Sequence, residues 1–198
     1  QIDDKATGKV DLKIAGSLAE PVVDVVVEIR DVGVAERSDI PRTDVTLKVQ
    51  AKDGRAEVFA EAIAKDYAPA TLKAEMAFLP KKWAEDMDSL MAEEIAGTLD
   101  LPRVDLSRFQ SLIPGAEELG GVTEGKVVIA GIVSAPSVDG NLKLSGGKLR
   151  MKGTSIPPLD GIEFEVDADL ETVKFNGAVA SIAGGDLKIA GSLQLKNE

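Results

Sequence analysis

The sequence predicts a mainly β protein: a curled, antiparallel-type repeat sheet with one or two short helices. Three observations predict it. Apolar and polar residues alternate along most of the chain, glycine-centred turn signals recur at short intervals, and strand-plus-turn units repeat. Alternation gives a strand one dry face and one wet face, whereas a parallel sheet covered on both sides reads as unbroken apolar runs.

Taken in order, Val10, Leu12, Ile14 and Leu18 mark the first alternating strand, and Val45, Leu47 and Val49 mark another. Asp53-Gly54 then supplies a hairpin signal, since both residues tolerate the positive φ of a tight turn. Leu72, Ala74, Met76 and Phe78 alternate in the same way. From Pro80 to Ala92 the period changes: Trp83, Met87, Leu90 and Met91 follow i, i+4, i+7, i+8, which is one face of a short helix near 81–92. Asp105 opens a second short helix at 105–113, with Leu106, Phe109, Leu112 and Ile113 at helical spacing and Pro114-Gly115 at its end.

Alternation then resumes through Val127 and Ile129, through Leu142, Leu144 and Leu149, and most clearly at 161–170. There Ile162, Phe164, Val166, Ala168 and Leu170 interleave with Glu163, Glu165, Asp167 and Asp169. The last strand carries Leu187, Ile189, Leu193 and Leu195. Asp139-Gly140, Gly146-Gly147, Asp160-Gly161 and Gly184-Gly185 read as turns, giving about ten or eleven strands in all. The helices divide the chain into a β-repeat segment at 1–104 and another at 105–198, expected to form one continuous structural unit.

Internal similarity supports the repeat. Asp-Leu-Lys-Ile-Ala-Gly-Ser-Leu occurs at Asp11–Leu18 and again at Asp186–Leu193. Gly-x-[Leu/Val]-x-x-Pro occurs at Gly16–Pro21 and at Gly131–Pro136, each a strand end marked by a proline that cannot donate to the ladder.

Composition narrows the chemistry. With no histidine and no cysteine there is no Ser-His-Asp triad, no Cys-His dyad, no Cys/His zinc site and no disulfide framework. The 34 Asp and Glu against 23 Lys and Arg give a net charge of −11, which argues against nucleic acid as a partner. Three carboxylate pairs remain, Asp86 with Asp88, Glu93 with Glu94, and Asp167 with Asp169; their placement among charged residues reads as solvated surface rather than a glycosidase or calcium site. The candidate functional residues are therefore the apolar ones: Val10, Leu12, Ile14, Val127, Ile129, Leu142, Leu144, Leu149, Ile162, Phe164, Val166, Leu187, Ile189 and Leu193. The residues alone leave a packed core and an apolar trough both open for them.

The run of motifs from Asp105 to Leu195 resembles the periplasmic β-repeat region of the TamB/AsmA-like proteins. The motifs are Asp-Leu-Ser-Arg-Phe-Gln-Ser-Leu-Ile-Pro-Gly at Asp105–Gly115, then Gly125-Lys126-Val127, the segment Gly131–Gly140, the Gly-Gly segment Leu142–Leu149, and Gly184–Leu193. The resemblance implies a U-shaped β-taco or half-barrel trough with an apolar inner face, in proteins anchored in the inner membrane of Gram-negative bacteria and extending through the periplasm. It implies a non-enzymatic, cofactor-free role, with the residues just named facing phospholipid acyl chains in a groove on their way between inner and outer membranes. It also implies neighbouring repeats of the same chain as partners, and an outer-membrane barrel partner met through regions outside this sequence, which then reads as an internal piece. A chaperone-like scaffold for outer-membrane protein assembly and a lipid-free β-solenoid spacer are the alternative expectations.

Overall fold

The computed structural model describes residues 6–17, 20–33, 41–153, 155, 157–182 and 185–194; the predicted strand positions Leu18 and Leu195, and Gly184 of the last turn signal, lie outside them. The fold is mainly β and antiparallel, as the alternation predicts. In chain order the elements are β1 (Thr7–Gly16), β2 (Pro21–Val32), β3 (Thr43–Lys52), β4 (Arg55–Ala64), β5 (Ala70–Ala77), α1 (Pro80–Glu85), α2 (Asp88–Met91) and β6 (Ile95–Asp105). A 3-10 helix (Leu106–Leu112) follows, then β7 (Ala116–Ile132), β8 (Ala135–Met151), β9 (Leu159–Ala168), β10 (Thr172–Ile182) and β11 (Gly185–Gln194). The hydrogen-bonded order is the sequence order, β1 to β11, so each strand lies beside its chain neighbours. No helix among the described residues is long and apolar enough to cross a membrane.

Packing divides the chain into two units, one of residues 1–100 with 128–138 and one of residues 101–127 with 139–198. In the first, Asp53 (φ 51°) and Gly54 (φ 76°) form the expected tight turn between β3 and β4, whose register runs unbroken from Thr43–Ala64 to Lys52–Arg55. The predicted helix near 81–92 is instead two short pieces. Asp86 is extended (φ −146°, ψ 99°), its Oδ1 accepts the N–H of Asp88 at 3.1 Å, and its carbonyl accepts Ser89 Oγ at 2.7 Å. An aspartate that satisfies its neighbours locally competes with the helical ladder and breaks it.

In the second unit the 3-10 helix is capped as expected at Asp105, whose side chain accepts from the Ser107 N–H at 2.9 Å. Gln110 then ties the helix to β7 by donating to the carbonyls of Glu117 (2.8 Å) and Ala116 (3.3 Å). Three predicted turns are not turns. Asp139-Gly140 and Gly146-Gly147 lie inside the 17-residue β8, and Asp160-Gly161 lies inside β9. Gly146 (φ 60°) and Gly161 (φ 65°) are irregularities within paired strands, where the β8–β9 register shifts at Gly147 and Glu163 Oε1 accepts the Gly146 N–H at 2.8 Å.

The repeated Gly-x-[Leu/Val]-x-x-Pro motif makes the same corner twice. Gly16 (φ 85°) and Gly131 (φ 95°) both sit against the residue four positions on and the proline after it. A Cβ at Gly16 would lie 2.2 Å from the Glu20 carbonyl oxygen, and one at Gly131 would lie 2.8 Å from that of Ala135. Both φ and space therefore exclude a side chain. Gly131→Ala is expected to lower stability by ~1–3 kcal/mol. Gly8→Ala, whose added Cβ would meet only the Glu28 carbonyl oxygen at 3.9 Å, should stay within ~1 kcal/mol of the parent. Urea-unfolding midpoints at equal m-value check the pair.

Candidate functional site

Cross-strand partners point to the same face of a sheet, so register assigns every side chain to one of two surfaces. In the first unit three transverse rows are apolar from β1 to β6: Val10–Val27–Leu47–Ala60–Leu72–Leu99, Leu12–Val25–Val49–Val58–Ala74–Gly97, and Ile14–Val23–Ala51–Ala56–Met76–Ile95. The rows between them are Lys9–Glu28–Thr46–Glu61–Thr71–Asp100, Asp11–Val26–Lys48–Phe59–Lys73–Thr98 and Lys13–Asp24–Gln50–Glu57–Glu75–Ala96. One face is thus continuously aliphatic and the other largely charged. No second layer of described side chains seals the aliphatic face: Ala51 is the only buried hydrophobic residue among the described ones, and Val10, Leu12 and Ile14 are 59–69% exposed.

The second unit repeats the segregation. Its apolar rows include Leu142–Val166–Phe175–Gly191, Leu144–Phe164–Gly177–Ile189 and Gly140–Ala168–Val173–Leu193, with Ile162 pairing Gly147 and Leu187 at the next position of β11. Val127 belongs with them, because a Cβ at Gly140 would lie 3.6 Å from Val127 Cγ2. Leu149 pairs with Leu159 beyond the glycine irregularities. Phenylalanines cover two of the glycines of this face. Phe175 lies over Gly191 and Phe164 over Gly177, where an added Cβ would come within 2.4 and 2.9 Å of the ring carbons, and the two rings stack at 6.4 Å.

The structure therefore brings Leu142, Leu144, Ile162, Phe164, Val166, Ile189 and Leu193 onto one face of the second unit, and Val10, Leu12 and Ile14 onto one face of the first. Ile129, in the first unit, borders a depression together with Val128 and Ala130. Sequence reasoning left out Val23, Val25 and Val27 of β2 and Val173 and Phe175 of β10, which complete these rows.

The depressions within each unit are lined by residues of the charged rows together with residues of the aliphatic rows between them. One in the first unit, about 730 Å³, is lined by Lys48, Phe59, Lys73 and Thr98 along one row and Gln50, Glu57, Glu75 and Ala96 along the next. Arg55 pairs with Glu75 and, at 3.3 Å, with Glu57 beside it. One in the second unit, about 540 Å³, is lined by Lys143, Glu163, Glu165, Asn176 and Lys188 and by the aliphatic row Leu144, Phe164, Gly177 and Ile189.

At least one carboxylate of each of the three pairs is engaged in local structure. Asp86 accepts the Asp88 N–H as described, and Asp167 accepts Asn141 Nδ2 at 2.7 Å. Asp169 closes the β9–β10 turn by accepting the N–H groups of Glu171 (2.8 Å) and Thr172 (2.7 Å). Glu93 takes Lys82 Nζ at 2.8 Å. Lys82 holds the Glu93 carboxyl below its ordinary range, with the nearby Trp83 indole contributing without completing a hydrogen bond. Trp83 meets Phe78 edge-on at 5.6 Å, and the β7–β8 corner is fixed to this helical segment by Val133 N–H on Glu93 O and Ser134 N–H on Met91 O, both 3.0 Å. No group of three or more Asp and Glu among the described residues is arranged to hold a metal ion.

No family model, no curated protein and no solved structure matches the chain. What the fold and its surface define is a class: an antiparallel sheet protein with an aliphatic face and a charged face.

Because the Glu93 carboxyl is depressed in the folded state, the stability it adds is complete above its unfolded value and is lost as pH falls through its folded value. Lys82→Met is expected to raise the Glu93 midpoint towards that of an ordinary glutamate. Asp44, held low by the Asp31 N–H and Arg30, should keep its midpoint. Carboxyl-carbon NMR titrations of the two proteins read both.

Proposed function

We propose that this chain is a non-enzymatic segment of a periplasmic lipid conduit, in which the aliphatic face of the sheet shields phospholipid acyl chains between the inner and outer membranes. One observation carries the reading: three rows without a polar side chain cross β1 to β6, yet Ala51 is the only buried hydrophobic side chain among the described residues. Apolar surface left in water costs about 25 cal/mol per Å², so a face of this extent gains from an apolar occupant. An acyl chain needs walls that exclude water and no fixed polar ligand, which agrees with a face lacking donors and acceptors. The charged face, in a chain of net charge −11, keeps the other side wetted. The resemblance of Asp105–Leu195 to the TamB/AsmA-like repeat region supports the same reading.

Photo-crosslinking amino acids at Phe164 and Ile189, against Glu165 on the opposite face, test it in Gram-negative cells expressing the chain in the periplasm. Phospholipid adducts are expected from the two apolar positions and not from Glu165. Equal lipid labelling at all three sinks the proposal, and protein adducts in place of lipid adducts favour an assembly scaffold.

A further inference from the structure

The two end strands of the order, β1 and β11, carry the same octapeptide and are exposed along their described length. An exposed end strand presents a row of unpaired N–H and C=O groups, and what pairs with it depends on the side chains it shows. The Asp-Leu-Lys within this octapeptide is self-complementary when two copies run antiparallel. With Leu12 opposite Leu12 of a second copy, Asp11 faces Lys13 and Lys13 faces Asp11 on the charged side. Val10 then faces Ile14, and Ile14 faces Val10, on the apolar side. Gly8 stands opposite Gly16 at the ends of the match. Because residues related by this symmetry are both odd or both even, the groups that point outward on one strand meet the outward groups of the other, as an antiparallel ladder requires.

We infer that β1 is a dimer edge, pairing antiparallel with β1 of a second copy of this chain about Leu12. Three features favour it. Val10, Leu12 and Ile14 are 66%, 59% and 69% exposed, so pairing removes their open flanks from water. Lys13 makes no ion pair within the described residues of its own chain, whereas Asp11 already holds Lys9 at 2.6 Å and would gain Lys13 of the second copy as another cation. Opposite charges across an antiparallel pair add stability where like charges subtract it. The choice of β1 over β11 follows from one residue. The position that Val10 occupies before the octapeptide is Gly185 in β11, so self-pairing there sets Ile189 against a glycine and forfeits the flanking aliphatic contacts. An isologous contact of this kind closes after two copies rather than propagating. The inference does not rest on lipid binding.

Sedimentation of the full chain over a range of concentrations, with two charge variants, tests it. The parent is expected to dimerise reversibly. Asp11→Lys and Lys13→Asp each set like charges opposite one another at two places, and each should weaken self-association by about tenfold or more while far-UV circular dichroism stays unchanged. Mixed in equal amounts the two variants should associate again, because each supplies the charge the other lacks. Since the chain has no cysteine, Leu12→Cys should form a disulfide dimer under mild oxidation, and Leu187→Cys should not. A parent that stays monomeric at every concentration overturns the inference. So does a mixture that associates no better than its components, or a Leu187→Cys protein that crosslinks as fast as Leu12→Cys.

Discussion

Cross-strand register stands here where a packed interior stands in most domains. A strand's side chains change faces with every residue, so sliding β3 by one position against β2 and β4 would send Val45, Leu47 and Val49 to the charged side and bring Lys48 and Gln50 among the valines of β2 and β4. Three aliphatic rows in the first unit would break at once, and the cost of wetting or mispairing them is what fixes the alignment. Turn chemistry reinforces it. The Asp53-Gly54 corner leaves no spare residue between Lys52 and Arg55, and the Asp169 side chain pins the β9–β10 reversal through two N–H groups.

Glycine is the second device, and it works in two different ways. At Gly16 and Gly131 it permits a positive φ beside a carbonyl oxygen, so the chain can reverse into a proline-bearing strand. At Gly177 and Gly191 the backbone is ordinary and the missing side chain is what matters, because it leaves room for Phe164 and Phe175 to lie flat across the neighbouring strand. The octapeptide shared by β1 and β11 shows how context divides these uses. Its glycine is a corner at Gly16, opposite Pro21, and a ring platform at Gly191, opposite Phe175.

The period-2 pattern made β1, β3, β5, β9 and β11 legible, because one face of each is aliphatic while the other is polar. β2 was harder. Its Val22 and Val26 put apolar side chains on the charged face beside Asp24 and Glu28, so Pro-Val-Val-Asp-Val-Val-Val hides the alternation of Val23, Val25 and Val27. Turn signals misled where glycine serves a bulge: Gly146 and Gly161 have the φ of turn residues but sit in strands that continue past them. The helical period at 80–92 was real, yet Asp86 interrupts it through its own hydrogen bonds. The depression on the charged face had no signature in the sequence, because Phe59 shares its otherwise polar row only with Val26 two strands away, and its surroundings depend on which strands lie beside β4.

On the proposed reading, the make-up of the apolar face bears on what it can do as well as what it can hold. Valine, leucine, isoleucine and alanine offer dispersion and exclusion of water, with no donor or acceptor to favour one position over another. An acyl chain lying on rows such as Leu12–Val25–Val49–Val58–Ala74–Gly97 would meet apolar surface at each strand, with side chains that shorten from leucine to glycine across the row. No directional contact would hold it at one strand, so only graded apolar contact would resist its shift to the next. A buried polar anchor would do the opposite, fixing one pose and slowing departure. The absence of histidine, and of polar side chains from these rows, thus suits a surface along which a ligand travels better than a pocket in which it stops.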